Sequence, residues 1–442
     1  MSNKQIRDMI VPLFFEQFLA LLVGLADSFM VSFAGDAAVS GVSLVNMFIT
    51  FFIYLFTALA TGGAIVISQY IGTGDMPNAR KAAGQLLTAA TLLSLLVMSV
   101  TLLFHRELLH ILFGSVEDRV MEACITYLKI SALSFPALAV YNAGAALCRS
   151  TGETAITMKV SLISNLINIA GNAVGVFILH AGVAGVAYPT LIARTFSALV
   201  ILLICANPRR TVYYQAQCIF SWDSPMLRCL MNVAVPNGIE SGLFQLTKVA
   251  LSSITALFGT AQIAANGIGQ NIWSIAAMIS SLMGTVAITV IGQSMGSGDI
   301  EETENQFYRL LKMSLKMSVI WNVLIFAATP FVMQLFPVSD EVKHMVVLLV
   351  LLHNVFCAVV QPFSAVLPCG LRATGDVRYT MIVGIIVTLA VRLVLSVFLG
   401  MYLKMGVFGV ALAMCIDWCA RGVLFWHRFR TGKWKTMKVI SG

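Results

Sequence analysis

Gln69-Tyr70-Ile71-Gly72-Thr73-Gly74-Asp75 and Gln293-Ser294-Met295-Gly296-Ser297-Gly298-Asp299 are one segment written twice, 224 residues apart. Held at that shift, the match runs back without a gap to Gly35 and Gly259, Glu16 and Glu240, and Pro12 and Pro236. Further on, Arg149-Ser150-Thr151-Gly152 answers Arg372-Ala373-Thr374-Gly375 at a shift of 223. Gly182, Gly185 and Ala187 then answer Gly406, Gly409 and Ala411 at 224. The chain is a tandem duplication, so its fold must be one that two copies of a half can build.

The material of each copy says where it folds. Of 442 residues, 59% are hydrophobic and 11% charged, and the mean hydropathy is +0.89; a soluble domain carries roughly 25% charged residues. So few charges cannot cover a water-facing surface, which excludes a water-soluble fold. In a bilayer the backbone must satisfy itself as helix or closed barrel, and the apolar runs lack the alternation of barrel strands. Spans of about 20 residues are expected near 10–33, 37–68, 82–104, 121–148, 157–180, 182–206, 232–258, 262–293, 306–336, 341–369, 379–403 and 405–429. Each copy holds six, an even number, so both enter the membrane the same way round, related by an axis along its normal.

The expected fold is an all-α membrane protein of twelve transmembrane helices in two pseudo-symmetric six-helix lobes. The lobes are placed at 1–206 and 229–430, with a linker at 207–228 and a basic tail at 431–442.

The net charge of +8 could suggest nucleic acid in a soluble chain, but here the charges lie between apolar runs. The termini and the loops on their side hold nineteen Lys and Arg, among them Arg80, Lys81, Arg149, Arg209, Arg210, Arg372 and Lys433; the opposite loops hold four, Arg106, Arg119, Lys343 and Lys404. Cytoplasmic loops collect such residues, so both termini are expected in the cytoplasm of a cell-membrane protein. The first apolar stretch is longer than a signal-peptide core and is read as a retained span. Nine cysteines without C-x-x-C spacing read as neither disulfide framework nor metal site. No Gly-x4-Gly-Lys-Ser/Thr loop, dinucleotide fingerprint or nucleophile elbow occurs, which argues against ATP hydrolysis and against an enzyme. No cofactor is expected, and any work must draw on an ion gradient.

Function should lie where the copies differ. Asp27 falls in the outer half of the first span, and its counterpart is Leu251. The shared scaffold therefore cannot require the carboxylate, and an ionisable group within a span is a functional candidate by default. It is read as a group that takes up and releases a proton. Glu16 and Glu240 occur in both copies and read as structural or gating groups. Glu16 and Asp27 are eleven apart, within about 20° on one helix face, so a polar track along the first helix is conceivable. Lys248 stands where the first copy has Gly24, one turn after Gln245; a lysine at that depth needs a carboxylate or a wet cavity, and facing a cleft it would disfavour strongly cationic cargo. Asp417 and Arg421, four apart, are expected to pair. His353 reads as a hydrogen-bonded core residue.

The doubled Gln-x-x-Gly-x-Gly-Asp segment, the Arg-x-Thr-Gly turns and the Pro12 to Gly35 opening with its Asp27 resemble the multidrug and toxic compound extrusion (MATE) family over essentially the whole chain. The resemblance implies export of organic cations and drugs in exchange for protons or sodium. It maps Asn168, Asn172 and Thr190 to the polar cluster around the corresponding aspartate, where a proton or cation is held. Four such oxygen-bearing side chains suit a hard monovalent ion and equally suit a protonated carboxyl. Some relatives carry a second carboxylate where this chain has Asn172. Others have acidic residues in the seventh and tenth helices where this chain offers Phe244, Gln245 and Gln361, which argues against sodium in the second lobe.

The expected activity is thus a secondary antiporter for organic cations or amphipathic drugs, driven by H+ or Na+. Its partners are a small-molecule substrate and the lipid bilayer, with no nucleic acid, and one copy suffices as a monomer. The alternative weighed is a lipid-linked saccharide flippase of the same superfamily. It would want a cleft rich in Arg and Lys for pyrophosphate, and few central cations are present, chiefly Lys248, Arg194 and Arg392. A receptor without transport is disfavoured by the duplication and the lone acid.

Overall fold

The computed structural model describes residues 1–114, 116–334, 336 and 338–440, and among these all regular structure is helical. Contacts divide the chain into two compact units, one of Ser2–Gly238 and the other of Ile239–Gly442 together with Met1.

The first unit holds α1 (Asn3–Ser32), α2 (Asp36–Thr73), α3 (Met76–Leu103), α4 (His105–Phe113), α5 (Asp118–Leu133), α6 (Phe135–Ser150), α7 (Thr154–Ala173) running on into a π-helical turn (Val174–Ile178), α8 (Ala184–Cys205), α9 (Ala216–Phe220) and the start of α10 (Ser224–Ala256). The second unit continues with the rest of α10, α11 (Thr260–Ala276), α12 (Met278–Gly296), α13 (Ile300–Gln334), α14 (Asp340–Gln361), α15 (Leu367–Thr374), α16 (Val377–Ile386), a π-helical stretch (Val387–Leu393), α17 (Val394–Val397) and α18 (Val407–Arg430).

Among the described residues, ten helices or helix runs are long and apolar enough to cross a bilayer, and α5 and α6, bent by 44° at their junction, make an eleventh if taken as one span. The bend falls at Ser134, because Pro136 has no N–H to donate back to the preceding turn; one helix at 121–148 was expected. The twelfth is α10. It has 33 residues, but Arg228, Glu240, Gln245 and Lys248 make it less apolar than the others. Its place is given by the duplication, since it repeats α1 and both contain a proline, Pro12 and Pro236. The expected end of the ninth span at 336 adjoins residue 335, outside the described residues.

The doubled motif is a pair of helix caps. Gly74 and Gly298 both have φ of +79°, a left-handed conformation open to glycine without penalty. The aspartate that follows starts the next helix: Asp75 Oδ1 accepts from Asn78 N at 3.1 Å and Asp299 Oδ1 from Glu302 N at 2.9 Å. One turn chemistry retained twice is enough to explain the motif.

Small residues let the helices approach closely. Within the first unit α1 packs on α7, α7 on α8, α8 on α6, and α6 on α2 and α3. A Cβ added at Gly185 would stand 2.7 Å from backbone atoms of Gly175. Gly185→Val is therefore expected to cost about 1–3 kcal/mol of stability, as overpacking does, read as a lower melting temperature in detergent. Gly267→Ala, where a Cβ meets nothing within 4 Å, serves as the unaffected control.

The polar stretch after α8 lies against the first unit. Gln85 Nε2 donates to Cys218 O at 2.9 Å, the Arg80 guanidinium sits 4.6 Å from the Tyr213 ring centre, and Lys81 pairs with Asp223. The Lys81 hydrogen bond, helped by Met226 N–H, holds the Asp223 carboxyl below the usual carboxylate range. Leu96, Leu203, Ile320, Phe331 and Val423 are exposed on helices, as suits faces whose solvent is lipid.

Candidate functional site

The first unit draws three helices together at Asp27. The half-buried carboxylate of α1 points to α7, where Asn172 Nδ2 donates to Asp27 Oδ1 at 2.7 Å. The same amide nitrogen reaches Asn168 Oδ1 at 3.3 Å, Asn168 Nδ2 donates to Thr190 Oγ1 at 3.0 Å, and Thr190 donates to Val186 O at 3.0 Å. Asn168 and Asn172 share a face because they are one turn apart, and α8 meets that face with Thr190. The four residues form one hydrogen-bonded chain from a carboxylate to a backbone carbonyl. Asn172 is fully buried, and its Oδ1 has no hydrogen-bond partner among the described residues.

Asp27 makes no ion pair among the described residues. Arg194 lies within Coulombic reach of it, but its Nη1 donates instead to Ser134 Oγ at 2.8 Å. The acid is thus held by a neutral donor and keeps a cation near without contact. Such a group can change charge without first breaking a salt bridge.

Glu16 and Glu240 occupy matching settings. Glu16 accepts from Arg149 Nη2 at 2.8 Å and from Thr157 Oγ1 at 2.7 Å. Glu240 accepts from Arg372 Nη2 at 2.7 Å, and Arg372 Nε reaches Thr380 Oγ1 at 3.3 Å. Each copy thereby ties its first helix to its Arg-x-Thr-Gly turn. Sequence reasoning missed these pairings, although a signal existed: Arg149 and Thr157 recur as Arg372 and Thr380 at one shift, together with the repeated glutamate.

The second unit contains a cavity of about 310 Å³, whose wall includes Lys248 and Arg392. Of Glu240, Gln245, Lys248 and Gln361, Lys248 alone lines it. Glu240 is engaged with Arg372, while Gln245 and the buried Gln361 lie outside its wall. Lys248 has no carboxylate partner among the described residues; its Nζ is 5.1 Å from the Phe244 ring centre, and Arg392 Cζ lies 5.0 Å from the same ring. Asp417 and Arg421 do pair, with Nε to Oδ1 at 3.2 Å. His353 is not hydrogen-bonded as expected: among the described residues both ring nitrogens are buried without partners, and the ring packs against Trp418 at 6.0 Å.

A duplicated architecture of membrane-crossing helices is that of a membrane transporter. The family model MatE matches residues 12–174 and again 236–398, and the chain belongs to that family, the MATE multidrug efflux transporters. The two matches start 224 residues apart, at the spacing of the internal repeat. Over 428 residues the chain is 26% identical to the uncharacterized transporter YisQ of Bacillus subtilis, covering 96% of this chain and 93% of that protein. It is 23% identical to the probable multidrug resistance protein NorM of Thermotoga maritima, covering 99% and 94%. A solved outward-facing multidrug resistance MATE family transporter superposes with a TM-score of 0.91 at 20% identity, over 98% of this chain and 97% of that one. The chain is a multi-pass membrane transporter.

Proposed function

We propose that this transporter exports organic cations or amphipathic drugs from the cytoplasm in exchange for protons, with Asp27 as the coupling group and both termini in the cytoplasm. The observation that carries the reading is the bond from Asn172 to Asp27. An amide N–H turned toward the carboxylate suits a proton site better than a sodium site, because a cation needs oxygens facing it, and no second acid stands at Asn172 to add charge.

On protonation the carboxyl becomes a donor, and the partnerless Oδ1 of Asn172 is an acceptor within the same amide. Turning that amide over passes the change to Asn168 and Thr190, and so from α1 to α7 and α8. A proton thereby biases a hydrogen-bonded element shared by three helices, which is the differential interaction that coupling requires. One chain carries the whole coupling chain of residues, so a monomer suffices, and no cofactor is needed.

Proteoliposomes loaded with a fluorescent amphipathic drug separate the possibilities. A pH gradient imposed alone should drive its transport, and a sodium gradient at equal pH on both sides should not. Equal flux under sodium alone overturns the proton assignment.

A further inference from the structure

We infer that the cavity in the second unit is a binding site for an organic anion, and that it takes the carboxylate of an amphipathic aromatic compound. The two copies differ there in an ordered way. At the 224-residue shift, Asp27 corresponds to Leu251, Gly24 to Lys248, Asn168 to Arg392 and Thr190 to Met414, and all four second-copy residues line the cavity. Where the first unit places an acid among amides, the second places two cations beside apolar side chains. The same location in the repeat has been rebuilt with opposite charge.

Arg392 is the residue that calls for a ligand. It is 3% exposed, and its Nε and Nη1 are buried with no hydrogen-bond partner among the described residues. A buried guanidinium without an acceptor is costly. No aspartate or glutamate lines the cavity. The nearby acid, Asp417, pairs through Oδ1 with Arg421, its Oδ2 stays without a hydrogen-bond partner among the described residues, and it lies within Coulombic reach of Arg392; the Cζ of Arg421 is itself 5.8 Å from the Phe244 ring already flanked by Lys248 and Arg392. Three cations around one ring against one carboxylate leave an excess of positive charge that an incoming anion would neutralise.

The backbone is also adapted here. Thr157 matches Thr380 at a shift of 223, whereas Gly182 matches Gly406 at 224. The second copy therefore gains one residue between these points, and Val387–Leu393, which contains Arg392, is π-helical. An inserted residue of this kind re-aims the side chains after it and often marks a functional site.

A planar, forked guanidinium matches a carboxylate in bidentate fashion. Lys248 is a second charge on the wall, and Trp273 and Met414 offer an apolar seat for an aromatic body. The volume of about 310 Å³ is at the lower end for small-molecule sites, which limits the seated portion to a small aromatic acid. This rests on the export reading for the ligand's role as cargo, and of the two cargo classes it selects amphipathic compounds bearing an acid over permanent cations.

The test is equilibrium binding to the detergent-purified full chain with no gradient present, so its outcome does not depend on whether Asp27 couples transport to protons. Coumarin-3-carboxylate is the probe, compared with neutral coumarin-3-carboxamide. The carboxylate should bind at least about 10-fold tighter, a usual range for a desolvated charge-assisted contact. Arg392→Gln and Lys248→Gln should each remove most of that preference. Lys248 is exposed, so its variant keeps the test alive if Arg392→Gln fails to fold. Equal binding of acid and amide, or an undiminished preference in folded Lys248→Gln, overturns the proposal. So does displacement of the probe by pyrophosphate or by phosphatidylglycerol nanodiscs at lower concentration than by unlabelled aromatic carboxylate, which would assign the site to phosphate or lipid.

Discussion

Asp27→Asn is expected to lower transport driven by a pH gradient by about 10-fold or more, the scale of a lost coupling free energy, while the protein is made and melts as the parent does. The replacement is nearly isosteric, and its side-chain carbonyl can still accept from Asn172 Nδ2, so the chain through Asn168 and Thr190 stays intact. What disappears is the ability to gain and lose a proton. Asp27→Glu keeps that ability but moves the carboxyl by one methylene, and partial recovery is expected. Efflux measured in cells and in pH-jumped proteoliposomes gives the answer. Full export by a normally expressed Asp27→Asn would remove Asp27 from the mechanism.

Arg372→Met should destabilise the protein by about 3–5 kcal/mol, the range for stranding one member of a buried ion pair. Arg372 and Glu240 are 2.7 Å apart and each side chain is 14% exposed. Glu240 also lies so near Gly384 that a Cβ there would meet its Oε1 at 2.4 Å, which leaves little room for water to solvate a deserted carboxylate. The double replacement Glu240→Gln with Arg372→Met should recover much of the loss, because the charge left behind is what costs. Thermal unfolding of the single and double variants closes a cycle that isolates the pair. A single-variant loss below about 1 kcal/mol would mean that the pair behaves as a surface salt bridge. Arg149→Met, acting on Glu16, should repeat the result in the first unit.

Much of the fold could be read directly because its signals are local. The duplicated Gly74 and Gly298 mark helix ends through φ alone, and Asp75 and Asp299 mark helix starts through a cap three residues long. The bend between α5 and α6 was less visible, since a hydropathy profile passes smoothly over Ser134 and Pro136 while hydrogen-bonding geometry does not. At the site, the imbalance of Asp27 against Leu251 was legible once the copies were aligned. Arg392 was noticed only as a charge within a span. Its correspondence with Asn168 emerges after the inserted residue in the π-helical stretch is counted.

The order of residues alone determined that this chain lives in a bilayer, that it is one six-helix plan used twice, and that one copy carries an acid the other lacks. Those properties follow from composition, periodicity and repetition. Tertiary structure decided that Asp27 meets Asn172, that Glu16 and Glu240 are each bound to an arginine, and that Lys248 and Arg392 share one cavity. The reason is physical. In lipid the outer face of a helix is as apolar as its packed face, so no stripe in the sequence says which way a side chain points, and partners more than 130 residues apart are chosen only when helices pack.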